Sequence, residues 1–363
     1  MNVSSRLGII IVTYQSERHI GPLLRSLAAT IDRERTVVAI FDNASTDATV
    51  SVIESENQAH NHFARLIRSE TNLGFAKANN EAFALLQAET PCDTIILLNP
   101  DTIVKYSWLQ PLLDALANPE VGTVAPLLLM PDGTINARGN GLHFLGIGFV
   151  QGFGETVLPS PEENAKLFFG SGAALAFRTA TLDAVNTQLG TSGIFWEDLF
   201  LYAEDTDFGW RMRLAGFDNR LVPASHVTHD YQFWTQSGDN TGERLFWIER
   251  NRYLLLVANF KWATLIFLLP WILASELALS MGFWKLYPHR LRLWKGVIKE
   301  LQSPAFWERR ERLQAGRTVS DRTILRAMTG SIRHGARRFR VTDGLLDLAL
   351  RASHGFLRLA VWW

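Results

Sequence analysis

The chain has a single cysteine, Cys92, in 363 residues. One thiol closes no internal disulfide and builds no cysteine-based zinc site, so the secreted, disulfide-stapled class is excluded and a reducing compartment is expected. Two phosphate-binding signatures are missing as well. No GxxxxGK loop occurs, and Gly146, Gly148 and Gly152 miss the GxGxxG spacing by one residue. These absences argue against a P-loop nucleoside triphosphatase and a nicotinamide oxidoreductase. No secretory leader is expected, because the apolar run over residues 7–12 is short and passes straight into polar residues. Repeats and low-complexity tracts are absent too.

Net charge is also lacking, since 36 Lys and Arg balance 36 Asp and Glu. That zero conceals an asymmetry. Residues 285–340 hold 15 basic residues against 4 acidic ones, a local +11, and the remainder must carry −11. A basic segment of this kind suits an anionic partner, and its many Trp and Leu residues favour lipid over nucleic acid. No nucleic-acid partner is expected.

What is present is a rhythm of strands and helices. Residues 8–13 (GIIIVT), 37–41 (VVAIF), 65–68 (RLIR) and 94–98 (TIILL) read as buried strands. Helical spacing fills 19–29, 46–57 and 75–88 between them. Such alternation predicts an α/β fold with a mostly parallel sheet and helices on both faces. Ligands of such sheets bind beyond the C-terminal ends of the strands, so polar residues should gather there. They do.

The first strand runs out into Thr13-Tyr14-Gln15-Ser16-Glu17 and the second into Asp42-Asn43, with Ser45 or Thr46 expected to cap the following helix. Gly74 opens a helix whose N-terminal amides, with Lys77, are placed to face an anion. The fourth strand ends in Asn99-Pro100-Asp101, where a carboxylate beside a diphosphate suits Mg²⁺ or Mn²⁺. Small residues at Gly170-Ser171-Gly172-Ala173-Ala174 allow close approach to the backbone. Five acids fall within residues 197–207. If a helix begins near Glu204, Asp207 and Arg211 pair at i, i+4, leaving Glu204 or Asp205 as general base. His226 and His229 follow as candidate metal ligands.

Taken in order, IIIVTYQSE, FDNASTD, NLGFAKANN, LLNPD, GSGAALAFR, YAEDTDFGWRMRLAGF and PASHVTH resemble the family 2 glycosyltransferases, and most of all their bacterial rhamnosyltransferase-like branch. The resemblance covers about residues 6–260, including ERNRY at 249–253. It implies a GT-A fold, a nucleotide-diphosphate sugar donor (dTDP- or UDP-linked), a divalent cation and single-displacement inversion. It also implies a saccharide or lipid-linked saccharide acceptor in cell-envelope polysaccharide synthesis. On that resemblance Thr13, Tyr14, Glu17, Asp42 and Asn43 bind the nucleoside, with Lys77 and Asn99 near the nucleotide sugar. Asp101 and His229 hold the metal, Asp205 beside Glu204 is the base, and Ser171, Gly172, Ala173 and Trp196 line the acceptor side. Many members carry two or three aspartates at the metal motif, where this chain has Asn99-Pro100-Asp101. The alternative is a membrane-associated nucleotide-binding scaffold on a degenerate GT-A domain. A nucleotidyltransferase would need a basic, glycine-rich loop for a triphosphate, which residues 13–17 do not offer.

The expected organisation is a catalytic domain over 1–260 and a helical extension over 261–363. The run from Trp262 to Phe283 approaches the roughly 20 apolar residues of a membrane span, but Pro270 would kink it and Glu276 would be costly at mid-bilayer. Seven of the 12 tryptophans lie at or beyond Trp262, and residues 344–363 are amphipathic and end in Trp362-Trp363. The expectation is an interfacial or re-entrant segment at the cytoplasmic face of a bacterial inner membrane, with residues 262–340 on its anionic surface.

Overall fold

A computed structural model describes residues 6–160, 165–230, 241–282, 290–331 and 341–363. The parts of the expected membrane-facing segment at 283–289 and 332–340 lie outside the described residues.

The first half of the chain lays down β1 (Leu7–Thr13), α1 (Ile20–Thr30), β2 (Thr36–Asp42), α2 (Thr49–Ala59), β3 (Ala64–Arg68), α3 (Gly74–Glu89) and β4 (Thr94–Leu98). Short β5 (Thr102–Val104), α4 (Leu109–Leu116) and the long β6 (Val121–Leu129) follow, then β7 (Ile135–Ala137), β8 (Asn140–Leu142) and β9 (Gly148–Val150). β10 (Lys166–Leu167), β11 (Ala174–Arg178), α5 (Thr179–Leu189), α6 (Glu204–Leu214) and β12 (Asp218–His229) complete the sheet. The main sheet has the order β10-β12-β6-β11-β4-β1-β2-β3. β3, β2, β1 and β4 are parallel, and β6 and β12 are parallel to each other. β11 is inserted antiparallel between β4 and β6. The expected mostly parallel sheet is therefore present, with β11 reversed at its middle and the short β5, β7 and β10 also antiparallel to their neighbours.

Alternation along the strands explains the layers. Ile9, Ile11, Ile96 and Leu98 face one core with Leu23, Leu24, Trp108 and Leu112 of the helices α1 and α4 and the turn before α4. Ile10, Val12, Ile95 and Leu97 face the other, with Leu86, Leu182, Phe208 and Trp210. A period of two on strands buried on both sides yields unbroken Val/Ile/Leu runs, which is why these segments are legible in sequence.

The remaining helices are α7 (Thr241–Asn259), α8 (Trp262–Gly282), α9 (Arg290–Leu301), α10 (Pro304–Gly316), α11 (Asp321–Ala327) and α12 (Val341–Ala360). Their buried residues, among them Leu256, Phe306, Leu313 and Ile324, belong to the same core cluster as Phe208 and Trp210. The C-terminal helices thus share one apolar interior with the sheet. Glu276 explains why α8 tolerates an acid: it accepts from Arg252 of α7 at 3.1 Å and from the Tyr253 hydroxyl, so it faces protein. No helix among the described residues is long and apolar enough to cross a membrane.

Candidate active site

The strand ends converge as expected. Thr13 pairs in register with Asp42 at the ends of β1 and β2. The Thr13 hydroxyl donates to Asp42 Oδ1 at 3.1 Å, and the Ser45 amide donates to Oδ2 at 3.1 Å. Both residues are buried, whereas Tyr14 and Glu17 open onto solvent. The Glu17 carboxylate accepts from the Ala48 amide at 3.1 Å, tying the first loop to the second. Neither Ser45 nor Thr46 caps α2. Both hydroxyls accept from Gln15, and Asp47 instead accepts from the Thr49 amide at 3.0 Å, so the helix starts three residues later than expected.

Asn43 does interior work. Its carboxamide donates to Asn72 Oδ1 at 3.0 Å and to the Gly74 carbonyl at 3.2 Å, and accepts from the Leu73 amide at 2.8 Å. It shapes the turn into α3. The expected anion site at that helix start is not free, because the Phe75 and Ala76 amides donate to the carbonyl of Phe200 at 2.9 and 3.3 Å. Gly74 is required there: its φ is +79°, and a Cβ would lie 2.5 Å from the Phe200 ring. Lys77 is half-buried on α3 with no ion pair among the described residues.

At the end of β4, the Asn99 amide donates to the Ala173 carbonyl at 2.9 Å. One residue earlier, the Gly172 amide donates to Asp205 Oδ2 at 3.3 Å. Two adjacent residues before β11 therefore bridge the metal-motif segment to the acid pair, and the reversed strand is what brings them between. Asp205 also accepts from the Thr206 amide at 2.7 Å. Ser171 Oγ accepts from the Ala173 amide at 3.2 Å and steadies the turn.

α6 begins at Glu204, as the acid cluster predicts. Burial pushes the Glu204 carboxyl well above the usual range, and the charge of Asp205 adds to the effect. Burial also raises Asp205, against the downward pull of the Gly172 and Thr206 amides. The two titrate as a pair. Burial would raise Asp207 likewise, but the guanidiniums of Arg309 and Arg211 hold it below the usual range. The Asp207–Arg211 pairing is present at 2.8 Å. Asp207 is thus held by its two guanidiniums, whereas Glu204 and Asp205 have no ion pair among the described residues.

Asp101 and His229 meet across β5 and β12, with Oδ1 3.4 Å from Nε2. β12 reaches this point through a bulge: Val222 pairs with Pro126 but the next partner of β6 is His226. Pro126 and Pro223 lack the donors a regular ladder needs, and the extra residues re-aim the strand end. The buried oxygens Asn99 Oδ1 and Asp101 Oδ1 receive no hydrogen bond among the described residues. Asn136 Oδ1 lies 3.0 Å from His229 Nδ1, which leaves Nε2 turned toward Asp101. Oxygen donors with one imidazole suit Mg²⁺ or Mn²⁺. Among the described residues no group of three or more His, Cys, Asp or Glu forms a complete cage, so a cation here would take its other ligands from a diphosphate and water.

Trp196 departs from expectation. Its indole is 7% exposed, its Nε1 donates to Asp198, and its ring is covered by the Arg309 guanidinium and packed against Phe306. It is a joint between the catalytic half and α10, not an open acceptor surface. Sequence reasoning also missed Asn251. Its amide bonds the carbonyls of Leu199, Leu201 and Tyr202 at 2.9, 3.0 and 2.7 Å, holding a loop in which Phe200, Tyr202 and Ala203 have positive φ. That loop aims Glu204 and Asp205.

Residues 8–185 match the family model described as glycosyl transferase family 2. An N-acetylglucosaminyl-diphospho-decaprenol L-rhamnosyltransferase of Mycobacterium tuberculosis is 30% identical over 244 residues, covering 61% of this chain and 75% of the relative. Two solved structures share the fold. GalNAc-T7 with UDP, GalNAc and Mn²⁺ aligns with a TM-score of 0.55 at 14% identity, over 72% of this chain and 49% of that one. The mannosyltransferase PcManGT from Pyrobaculum calidifontis, in complex with GDP-Man and Mn²⁺, aligns with a TM-score of 0.51 at 17% identity, over 87% and 86%. The shared architecture is the GT-A α/β fold.

Proposed function

Because the chain belongs to glycosyl transferase family 2, in its rhamnosyltransferase-like branch, we propose that it moves a sugar from a nucleotide diphosphate to a saccharide or lipid-linked saccharide acceptor of the cell envelope, with inversion. dTDP-rhamnose is the first donor to try and UDP-sugars are the second. The observation that carries this reading is the bridge through Gly172 and Ala173, which sets Asp205 beside the Asn99–Asp101 segment.

Thr13, Tyr14, Glu17 and Asp42 form the nucleoside end of the cleft, with Asn43 shaping its floor and Lys77 and Asn99 toward the diphosphate. Asp101 and His229 would hold Mg²⁺ or Mn²⁺, which when bound supplies positive charge against the departing diphosphate. Asp205 accepts the proton of the acceptor hydroxyl as that oxygen attacks the anomeric carbon from the face opposite the diphosphate. The amides of Gly172 and Thr206 orient the carboxylate for this role, while burial keeps its basicity above that of an ordinary aspartate. Ser171, Gly172 and Ala173 form the acceptor-side wall.

Residues 1–260 serve as the nucleotide-sugar unit and residues 261–363 as an extension that places the enzyme peripherally on the cytoplasmic face of the inner membrane. The test is a panel of nucleotide sugars offered with a lipid-diphosphate saccharide acceptor, with the anomeric configuration of the product read by NMR. An inverted product that disappears in Asp205→Asn supports the reading. A retained configuration, or turnover unchanged in that variant, sinks it, and nucleotide binding without any turnover would favour the scaffold alternative.

A further inference from the structure

Two helices of the extension turn apolar stripes outward. On α8 the exposed residues Trp262, Ile266, Leu269, Leu273 and Leu277 recur every three or four positions and so share one side of the helix. On α12 Leu348, Ala352, Phe356 and Leu359 do the same. Ile266 is 68% exposed and Leu359 76%, whereas Thr264, Leu268, His354 and Leu357 on the opposite sides are buried. The two helices meet at the end of α12, where Trp363 Nε1 donates to Thr264 Oγ1 at 2.9 Å and the Trp363 ring lies 5.8 Å from that of Phe267, itself 41% exposed. Soluble monomers rarely leave contiguous apolar faces of this extent open to water.

A basic edge borders the α12 stripe. Arg351 and Arg358 are exposed there, seven residues apart, and line a cavity of about 400 Å³ together with His354 and Ser331. Arg351 is partly engaged by Asp347 at 2.8 Å, whereas Arg358 has no ion pair among the described residues. Apolar side chains beside a guanidinium-lined cavity match the two halves of a phospholipid at the interface. A second copy of the chain would cover the stripes, but it would also bury Arg358, whose charge has no ion pair among the described residues, which is costly.

We infer that the α8–α12 face lies on an anionic lipid bilayer and that the cavity beside Arg351 and Arg358 takes a lipid phosphate. The inference deepens the peripheral placement proposed above and rests on it.

The experiment is vesicle flotation of the full chain with phosphatidylcholine alone and with phosphatidylcholine mixed with phosphatidylglycerol. The chain floats with mixed vesicles and more weakly with neutral ones. Ile266→Glu combined with Leu359→Glu removes binding to both. Arg351→Gln combined with Arg358→Gln weakens binding to mixed vesicles by about fivefold per arginine and to neutral vesicles by less. Circular dichroism melting verifies that both variants are folded, and each keeps wild-type transfer to a water-soluble acceptor. Undiminished flotation of the glutamate variant overturns the inference. So does light scattering in which wild type is a dimer and that variant a monomer, or thermal stabilisation by inorganic phosphate equal to that by the lipid. If wild type transfers sugar to a soluble acceptor but floats with neither vesicle, this inference fails and the transferase reading stands.

Discussion

Arg309 of α10 donates from Nη2 to both carboxylate oxygens of Asp207 in the first turn of α6, at 2.9 and 3.0 Å, in a site that Asp207 shares with Arg211. The extension thereby supplies half the counter-charge for an acid buried under the catalytic pair. Removing one partner of a buried pair strands the other, so Arg309→Ala should lower stability by about 3–5 kcal/mol. Urea unfolding measures it. A loss below 1 kcal/mol would mean that the Asp207 site is hydrated rather than sealed.

Asp205→Asn should reduce transfer by about 10²–10⁴-fold while leaving nucleotide affinity within a few-fold, because a positioned base acts on the transition state. Turnover and isothermal titration with the nucleotide, run on one preparation, separate the two effects.

The pH dependence follows from burial. Asp205 must be ionised to accept a proton, and its pKa is raised, so activity climbs as pH rises through a value above the ordinary ~3.9 of aspartate. The acidic limb of kcat/KM should lie well above that ordinary value. A limb at ordinary aspartate acidity would show the carboxylate to be fully solvated.

Glu204 makes an opposite demand on stability. Its folded pKa is raised, so its protonation favours the folded state. That contribution is complete below the unfolded pKa of about 4.3 and is lost as pH rises through the folded value. Glu204→Gln should therefore melt later than wild type at pH 8, by about 1–2 kcal/mol, with the gap closing below pH ~4. Melts across this pH range give the sign directly.

Chelation should stop turnover, and Mn²⁺ or Mg²⁺ should restore it. Asp101→Asn and His229→Ala should each weaken Mn²⁺ binding, measured by electron paramagnetic resonance of the free ion. Asn136→Ala should weaken it by about 10–100-fold through the lost orientation of the imidazole. Unchanged Mn²⁺ binding in Asn136→Ala would assign that amide to packing alone.

Much of the fold can be read from residues close together in the chain. The strands β1 to β4 and the start of α6 are local patterns of Val, Ile and acids, and polar residues do gather at the strand ends. Other features need contacts across long separations, which no local pattern carries. The Asn251 amide reaches carbonyls about fifty positions away, Arg309 reaches Asp207 across 102, and Asn136 reaches His229 across 93. Trp196 was misread because an aromatic before an acid cluster looks the same whether it lines a cleft or a joint. The helix start at Gly74 failed as an anion site for a related reason: its amides had already found a carbonyl, that of Phe200, 125 residues away.

Because β11 enters the sheet against the run of its neighbours, its leading turn meets Asn99 and Asp205 through peptide groups rather than side chains. Side-chain substitution leaves main-chain acceptors in place, and only proline removes a main-chain donor. A change in which alcohol this enzyme glycosylates would then come from side chains on the surrounding walls, with the turn as the fixed ruler against which Asp205 is set.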